Sequence, residues 1–428
     1  MNNPTQHGSW ILGIHGRVAG AALALAIMLV PAFLTAESAQ AQTLTTLHSF
    51  DGTDGASPYA ALVQDTDGNL YGTTLYGGPN SCTYPGIGTI FSCGTVFKIT
   101  PSGTLATLYN FCSQSGCTDG QFPYAGLIQG SDGNLYGTTS FGGANGDGTV
   151  FRITPSGTLT TLHSFAGTDG AAVYAGLVQG TDGNFYGTTF GGPANGTVFK
   201  ITPSGTLTTL YTFCFSCTGA GPYAGLVQGT DGNFYGTTFN GGGNGVGTVF
   251  TITPGGTLTT LYSFCSQSGC TDGANPYAAL VQGTDGNFYG TTLGGAANGT
   301  VFKMTPGGTL TTLYTFCYGC TGVSPYAALV QGTDGNFYGT TEGGTNHDGT
   351  IFKITPSGTL TTLHSFDGTD GAAVYAGLVQ GTGGNFYGTT AQGGGSGNCS
   401  GGCGTVFKLA TATPCRRYGR EGSCRLPH

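Results

Sequence analysis

The chain has 428 residues, 83 of them glycine, with 7% charged residues and a formal net charge of -8. No G-X-Y period runs through the glycines, so collagen is excluded. The acidic balance and the lack of a Lys/Arg cluster before the tail argue against nucleic acid and against a charged face lying on a membrane.

In chain order, the first 41 residues read as a signal peptide. Arg17 precedes an apolar run from Val18 to Leu34, and Ala39-Gln40-Ala41 fits an A-x-A cleavage site. A transmembrane anchor is the other reading; Pro31, the modest length and the A-x-A motif favour cleavage. The mature chain then begins near Gln42, keeps no tryptophan (Trp10 leaves with the signal) and needs no membrane span.

Next comes an isolated strand-like run, Thr43 to Phe50, and then a unit that repeats. The unit is clearest from Tyr174: "YAGLVQGTDGNFYGTTFGGPANGTVFKITPSGTLTTLYTF". It holds four strand-like runs: "YAGLVQ", "NFYGTT", "GTVFKIT" and "TLTTLYTF". Asp182-Gly183 is expected to form a two-residue type I′ turn between the first two runs. Pro203-Ser204-Gly205 turns the chain between the last two, with Pro pre-set at the first corner. Each unit therefore reads as a four-stranded antiparallel meander.

The Gly before Asn recurs at Gly68, Gly133, Gly183, Gly232, Gly286, Gly335 and Gly384, spacings of 65, 50, 49, 54, 49 and 49 residues. Units of this length fit β-propeller blades; an open β-solenoid is the competing architecture. Phase decides between them. The chain begins with a fourth strand and ends its last unit after a third strand, Gly404 to Ala410. A solenoid has no use for complementary incomplete ends, whereas a ring is closed by them and loses two exposed sheet edges. The expected fold is all-β: a seven-bladed β-propeller over residues 42–410, closed by the N-terminal strand completing the last blade, with residues 411–428 as an irregular tail.

Loops in such a ring alternate between two faces. The short Asp-Gly and Pro-x-Gly turns share one. The other carries the loops between second and third strands and those between blades, which vary in length. Fourteen cysteines occur as near neighbours: Cys82/Cys93, Cys112/Cys117, Cys214/Cys217, Cys265/Cys270, Cys317/Cys320, Cys399/Cys403 and Cys415/Cys424. The two CxxC pairs also fit redox or zinc chemistry, but neither starts a helix or has His partners, so seven local disulfides are expected. Six of these would staple the variable face. Tyr59, Tyr124, Tyr174, Tyr223, Tyr277, Tyr326 and Tyr375 each begin a first strand and would circle the axial mouth there. Two roles are open to them: contacts for a sugar or peptide, or wedges between blades.

The motif "DGNFYGTT…GG…NGTVFKITPSGTLTTLYSF" resembles the GloVer tandem repeat of exported bacterial proteins. The resemblance runs from about Thr43 to Ala410 and implies a secreted or cell-surface, propeller-like protein; it implies no activity. The tail departs from the pattern, having no apolar span or sorting signal. The Gly pair after the second strand also resembles kelch blades, but their Trp is absent.

Catalytic sites break symmetry, and most polar residues here repeat. Asp67, Asp132, Asp182, Asp231, Asp285 and Asp334 occupy one turn, where Gly383 replaces the seventh, so turn chemistry is expected of them. His48, His163 and His364 align with Tyr109, Tyr211, Tyr262 and Tyr314, which suggests packing rather than metal ligation. Asp54, Asp119, Asp169, Asp272 and Asp370, with Asp51 and Asp367, lie between blades. Calcium competes with solvated Asx turns as their reading; the loops are shorter than an EF-hand and lack its closing Glu, so no metal or cofactor is expected. Glu342, His347 and Asp348 in "EGGTNHDGT" form the one symmetry-breaking cluster and are the only catalytic candidates. The expected function is a monomeric, exported, non-catalytic binding or interaction scaffold whose ligand is an extracellular glycan or protein. The alternative is a propeller lyase or hydrolase acting on an extracellular polymer.

Overall fold

A computed structural model describes residues 42–83, 88, 90–317, 321–344 and 346–411. The expected signal peptide, most of the tail, Cys320, Cys415 and Cys424 lie outside the described residues. Seven four-stranded antiparallel sheets make seven blades. In the third, Val178–Gln179, Phe185–Thr189, Thr197–Ile201 and Leu207–Thr212 pair in sequence order. The seventh takes Val379–Gln380, Phe386–Thr390 and Thr405–Leu409 from the end of the chain and Leu44–Ser49 from its start. Leu44 pairs with Leu409 and Ser49 with Thr405, so the ring is closed as the strand phase requires. Among the described residues no helix is long and apolar enough to cross a membrane.

Most of the nine repeated residues of "TDGNFYGTT" have an identifiable physical task. Asp182 accepts hydrogen bonds from the Asn184 backbone (3.1 Å), the Asn184 side chain (2.7 Å) and the Tyr186 hydroxyl (2.8 Å). The Tyr186 ring then stacks on Phe234 of the next blade, centroids 4.0 Å apart. Gly187 is required because a Cβ there would stand 2.6 Å from Phe199 and 3.0 Å from Leu177. The first threonine, Thr188, donates to the Ala224 carbonyl of the next blade at 2.9 Å. The second, Thr189, meets the Thr197 hydroxyl at 2.9 Å inside its own blade. The blade-to-blade threonine bond recurs around the whole ring, and Thr389 to Ala60 (3.2 Å) closes it. Both hydroxyls are buried and satisfied, and so add order to an otherwise apolar core.

That core lies between blades. Tyr186, Val198, Phe213, Leu226, Phe234, Phe250 and Ile252 form one such layer across the third and fourth blades. On the turn face, a glutamine ties each of six joins: Thr181 N donates to Gln228, and Thr382 N to Gln64 at 2.8 Å across the closure. At the remaining join, Gln129 donates to Asp65.

Two local expectations are corrected. The Asp-Gly turn is not type I′. Gly183 has φ +80° but Asp182 is not left-handed, and Gly183 N bonds Gly180 O at 2.9 Å. Thr181 and Asp182 are thus the corners of a type I turn closed by a left-handed Gly, a geometry that lets the Asp carboxylate reach Asn184. The first strand is also shorter than "YAGLVQ": only Val178–Gln179 pair with the second strand. The Tyr-Ala-Gly segment before them lines the axis instead. A Cβ on Gly126 would stand 2.7 Å from the Ala61 carbonyl, which is why small residues gather there.

Candidate functional site

The axial mouth is built by a backbone device repeated seven times. Two residues before each mouth tyrosine the chain turns through a left-handed conformation, at Ser57, Phe122, Ala172, Gly221, Asn275, Ser324 and Ala373, with φ from 51° to 59°. Six of these are not glycine, and each is held by two hydrogen bonds that offset the strain. At Ser324, the N–H bonds the Asn298 carbonyl (3.1 Å) and the carbonyl accepts from Glu342 N (3.1 Å). The turn throws the next-but-one residue, the tyrosine, inward over the axis.

The seven tyrosines form a closed aromatic ring. Tyr59–Tyr375 (4.7 Å) and Tyr223–Tyr277 (4.6 Å) are stacked. The other five neighbouring pairs have centroids 5.2–5.5 Å apart, tilted or edge-on. The Tyr124 and Tyr277 hydroxyls meet at 2.8 Å although their blades are not neighbours. Of the two roles the sequence left open, the packing role is seen directly: each ring packs against the next blade's ring, and all seven stay half-buried at the mouth. A cavity of about 190 Å³ sits at the axis, lined by six of the tyrosines and by the Ala/Gly segments. Burial pushes the Tyr124 hydroxyl up to about 12. Burial and then Glu342 raise Tyr375, so the ring stays neutral through the physiological range.

A second position around the mouth also varies between blades, and sequence reasoning missed it as a set. It follows the second threonine and reads Leu75, Ser140, Phe190, Phe239, Leu293, Glu342 and Ala391. Phe190 packs on Tyr174 and Tyr223, and Phe239 on Tyr223 and Tyr277. Glu342 accepts a 2.7 Å hydrogen bond from the Tyr375 hydroxyl. The signal that finds this set is variation immediately after an invariant motif.

The three catalytic candidates share one loop but differ in setting. Glu342 faces Tyr375, while His347 is exposed with φ 67° and the Asp348 carbonyl accepts from Ala373 N of the next loop. Among the described residues, no three His, Cys, Asp or Glu side chains converge closely enough to hold a metal ion. The Asp set between blades is taken up locally. Asp54, Asp169 and Asp370 bond His48, His163 and His364 at 2.7–2.8 Å, and Asp119 and Asp272 bond Tyr109 and Tyr262 at 2.8 and 2.7 Å. The three histidine rings also pack edge-on against Phe50, Phe165 and Phe366.

Disulfides join Cys112–Cys117, Cys214–Cys217, Cys265–Cys270 and Cys399–Cys403. Cys317 is disulfide-bonded, and its expected partner, Cys320, lies outside the described residues. The seventh expected bond, between Cys415 and Cys424, is not among the disulfides of the described residues, because Cys415 and Cys424 both lie outside them. The expected Cys82–Cys93 bond is a correction: both are buried free thiols. Cys82 lies in Ser81–Thr83, opposite Phe91 of the paired strand Ile90–Ser92, and Cys93 follows that strand. The Cys93 thiol donates to the Asn80 carbonyl, and its contact with Cys82 raises the latter's pKa well above the ordinary thiol range.

A sequence model described as the Gloeobacter/Verrucomicrobia repeat matches residues 34–195, 88–298 and 193–407. No curated protein matches the chain. Among solved structures, a streptogramin B lyase is 16% identical, with a TM-score of 0.57 over 86% of this chain and 97% of that one. The extracellular domain of a protein described as a hybrid two-component system of B. thetaiotaomicron is 14% identical, with a TM-score of 0.54. It covers 86% of this chain, which spans only 41% of that one. At these identities the likeness shows the fold alone.

Proposed function

The chain belongs to the Gloeobacter/Verrucomicrobia repeat family, and from that premise we propose that it is an exported, non-catalytic binding scaffold that takes an extracellular glycan or protein at the tyrosine mouth. The observation that supports this reading most is the closed ring of seven half-buried tyrosines beside side-chain positions that vary from blade to blade. Aromatic rings with polar tips, held on a rigid scaffold, bind with little ordering cost. Export is supported by the sequence of the first 41 residues and by cysteines paired in short loops. A lyase or hydrolase would need an acid and a base within reach of one bond. Glu342 is engaged by the Tyr375 hydroxyl and His347 is exposed, which favours binding over catalysis.

The test is a glycan and cell-wall-fragment array, followed by affinity measurement of each hit with the Tyr174→Ala/Tyr326→Ala double variant. The expected result is a hit whose affinity falls at least about tenfold in the folded variant. A hit bound equally by wild type and variant overturns the assignment of the mouth. A hit converted to product overturns the non-catalytic reading.

A further inference from the structure

The ligand chemistry of the mouth can be narrowed, resting on its reading as the binding face. The cavity of about 190 Å³ is lined by Tyr59, Tyr326 and Tyr375 among other tyrosines, and its remaining wall is Ala and Gly. That volume exceeds the ~30 Å³ share of one water and falls short of the ~300 Å³ that begins to enclose a drug-sized ligand. It therefore suits one head group of a larger molecule. No Lys, Arg or His contributes to the lining.

One carboxylate stands beside this lining, reaching it through the Tyr375 hydroxyl. The Glu342 carboxylate bonds the Tyr375 hydroxyl at 2.7 Å and bears electrostatically on the hydroxyls of Tyr59 and Tyr326. Its backbone N–H donates to the Ser324 carbonyl at 3.1 Å, and the Tyr375 hydroxyl holds its carboxylate toward the mouth. Among the described residues it makes no ion pair. The equivalent positions in the other blades are Leu, Ser, Phe, Phe, Leu and Ala, so the carboxylate is confined to one sector of the ring.

A half-buried carboxylate without a counter-charge is less screened than one in water. Aromatic faces attract cations within about 6 Å of the ring centroid, most strongly where water is excluded. A neutral sugar would instead require several free hydrogen-bonding groups, yet the Tyr124, Tyr277 and Tyr375 hydroxyls already bond other side chains. We propose that the mouth binds an organic ammonium group, walled by Tyr59, Tyr326 and Tyr375 and balanced by Glu342. The net charge of -8 assists the approach of such a cation.

The experiment uses choline chloride and its uncharged carbon isostere, 3,3-dimethylbutan-1-ol, as probes of the purified protein. Binding is read by saturation-transfer NMR from tyrosine ring protons and by titration calorimetry. Choline is expected to bind at least about tenfold more tightly than the isostere. Glu342→Gln is expected to cost choline a similar factor, leave the isostere unchanged and leave the melting temperature intact. Equal binding of the two probes, or undiminished choline binding by Glu342→Gln, overturns the ammonium assignment. If an array hit still depends on the tyrosines while neither probe binds, the ammonium assignment falls and the mouth remains the site. If choline binds equally well to wild type, Glu342→Gln and Tyr326→Ala, the location falls as well.

Discussion

The two faces of the ring are built on the same seven-fold backbone yet use side chains in opposite ways. On the turn face, Asp, Asn and Tyr repeat in one geometry, and glutamines tie each blade's turn to the next blade. On the mouth face, an equally regular backbone presents a varied side chain after each Thr-Thr pair, among loops of differing length. The difference teaches where repetition serves the fold and where relaxed repetition leaves room for recognition. A residue that must bond another repeated residue, in its own blade or the next, cannot change alone. A residue whose backbone is clamped while its side chain has no repeated partner can.

The largest expected effect comes from breaking the ring on which both faces depend. Deleting residues 43–50 removes the outer strand of the seventh blade and the fully buried Phe50, and exposes the edge of Thr405–Leu409. Thermal melting should lose its cooperative transition or shift far downward. A truncated protein that melts like the intact one would show that the ring does not need its closing strand.

Next come the buried side chains that join blades. Thr188→Val leaves the Ala224 carbonyl without its 2.9 Å donor and should cost about 1–3 kcal/mol in chemical denaturation. Gly187→Ala forces a methyl against Phe199 and Leu177, with a cost of about 1–3 kcal/mol. If both variants unfold at the wild-type midpoint, these contacts do not hold the blades together.

A smaller effect separates the faces by pH. Burial opposes ionisation of Asp182 and Asp334, but bonds from Asn184 and Tyr186, and from Asn336 and Tyr338, outweigh it and hold both carboxyls below the ordinary 3.8. A depressed pKa contributes stability that is present above 3.8 and lost as pH falls through the folded value. Asp182→Asn/Asp334→Asn should therefore flatten the acid limb of a melting-temperature profile below about pH 4, by only a few degrees because these groups are largely exposed. Tyr124 behaves in the opposite sense. Its pKa is raised by burial to about 12, so its contribution is complete below pH 10 and is lost as pH climbs toward 12. Tyr326→Phe should leave the acid limb untouched; an equal change in both variants would erase the distinction between the faces on this measure.

Much of this was legible in the sequence because the evidence for closure is arithmetic: a fourth strand at the start and a third at the end can be reconciled only by pairing Leu44–Ser49 with Thr405–Leu409. The tyrosine ring was legible from its period alone. The roles of the two threonines were not, because Thr188 finds its partner in the next blade, 36 residues away. Dipeptide preference misassigned the Asp-Gly turn, since the Asp side chain competes for a conformation that the dipeptide alone does not reveal. The left-handed clamp was invisible because Ser, Phe, Ala, Gly and Asn all occupy it. Glu342 stood out as singular, but nearness in sequence grouped it with His347 and Asp348, whereas its partner is Tyr375, 33 residues on. Cysteine spacing likewise suggested a Cys82–Cys93 bond, whereas the two buried thiols touch and stay free.

The most direct test of the division between faces measures binding and melting together on two double variants, Tyr174→Ala/Tyr326→Ala and Asp182→Asn/Asp334→Asn, with the same array-identified ligand. The tyrosine variant is predicted to stay folded and lose at least about tenfold in affinity, while the aspartate variant melts a few degrees lower and binds as wild type. A folded tyrosine variant that binds normally, beside an aspartate variant that does not, would place recognition on the opposite face and contradict the account.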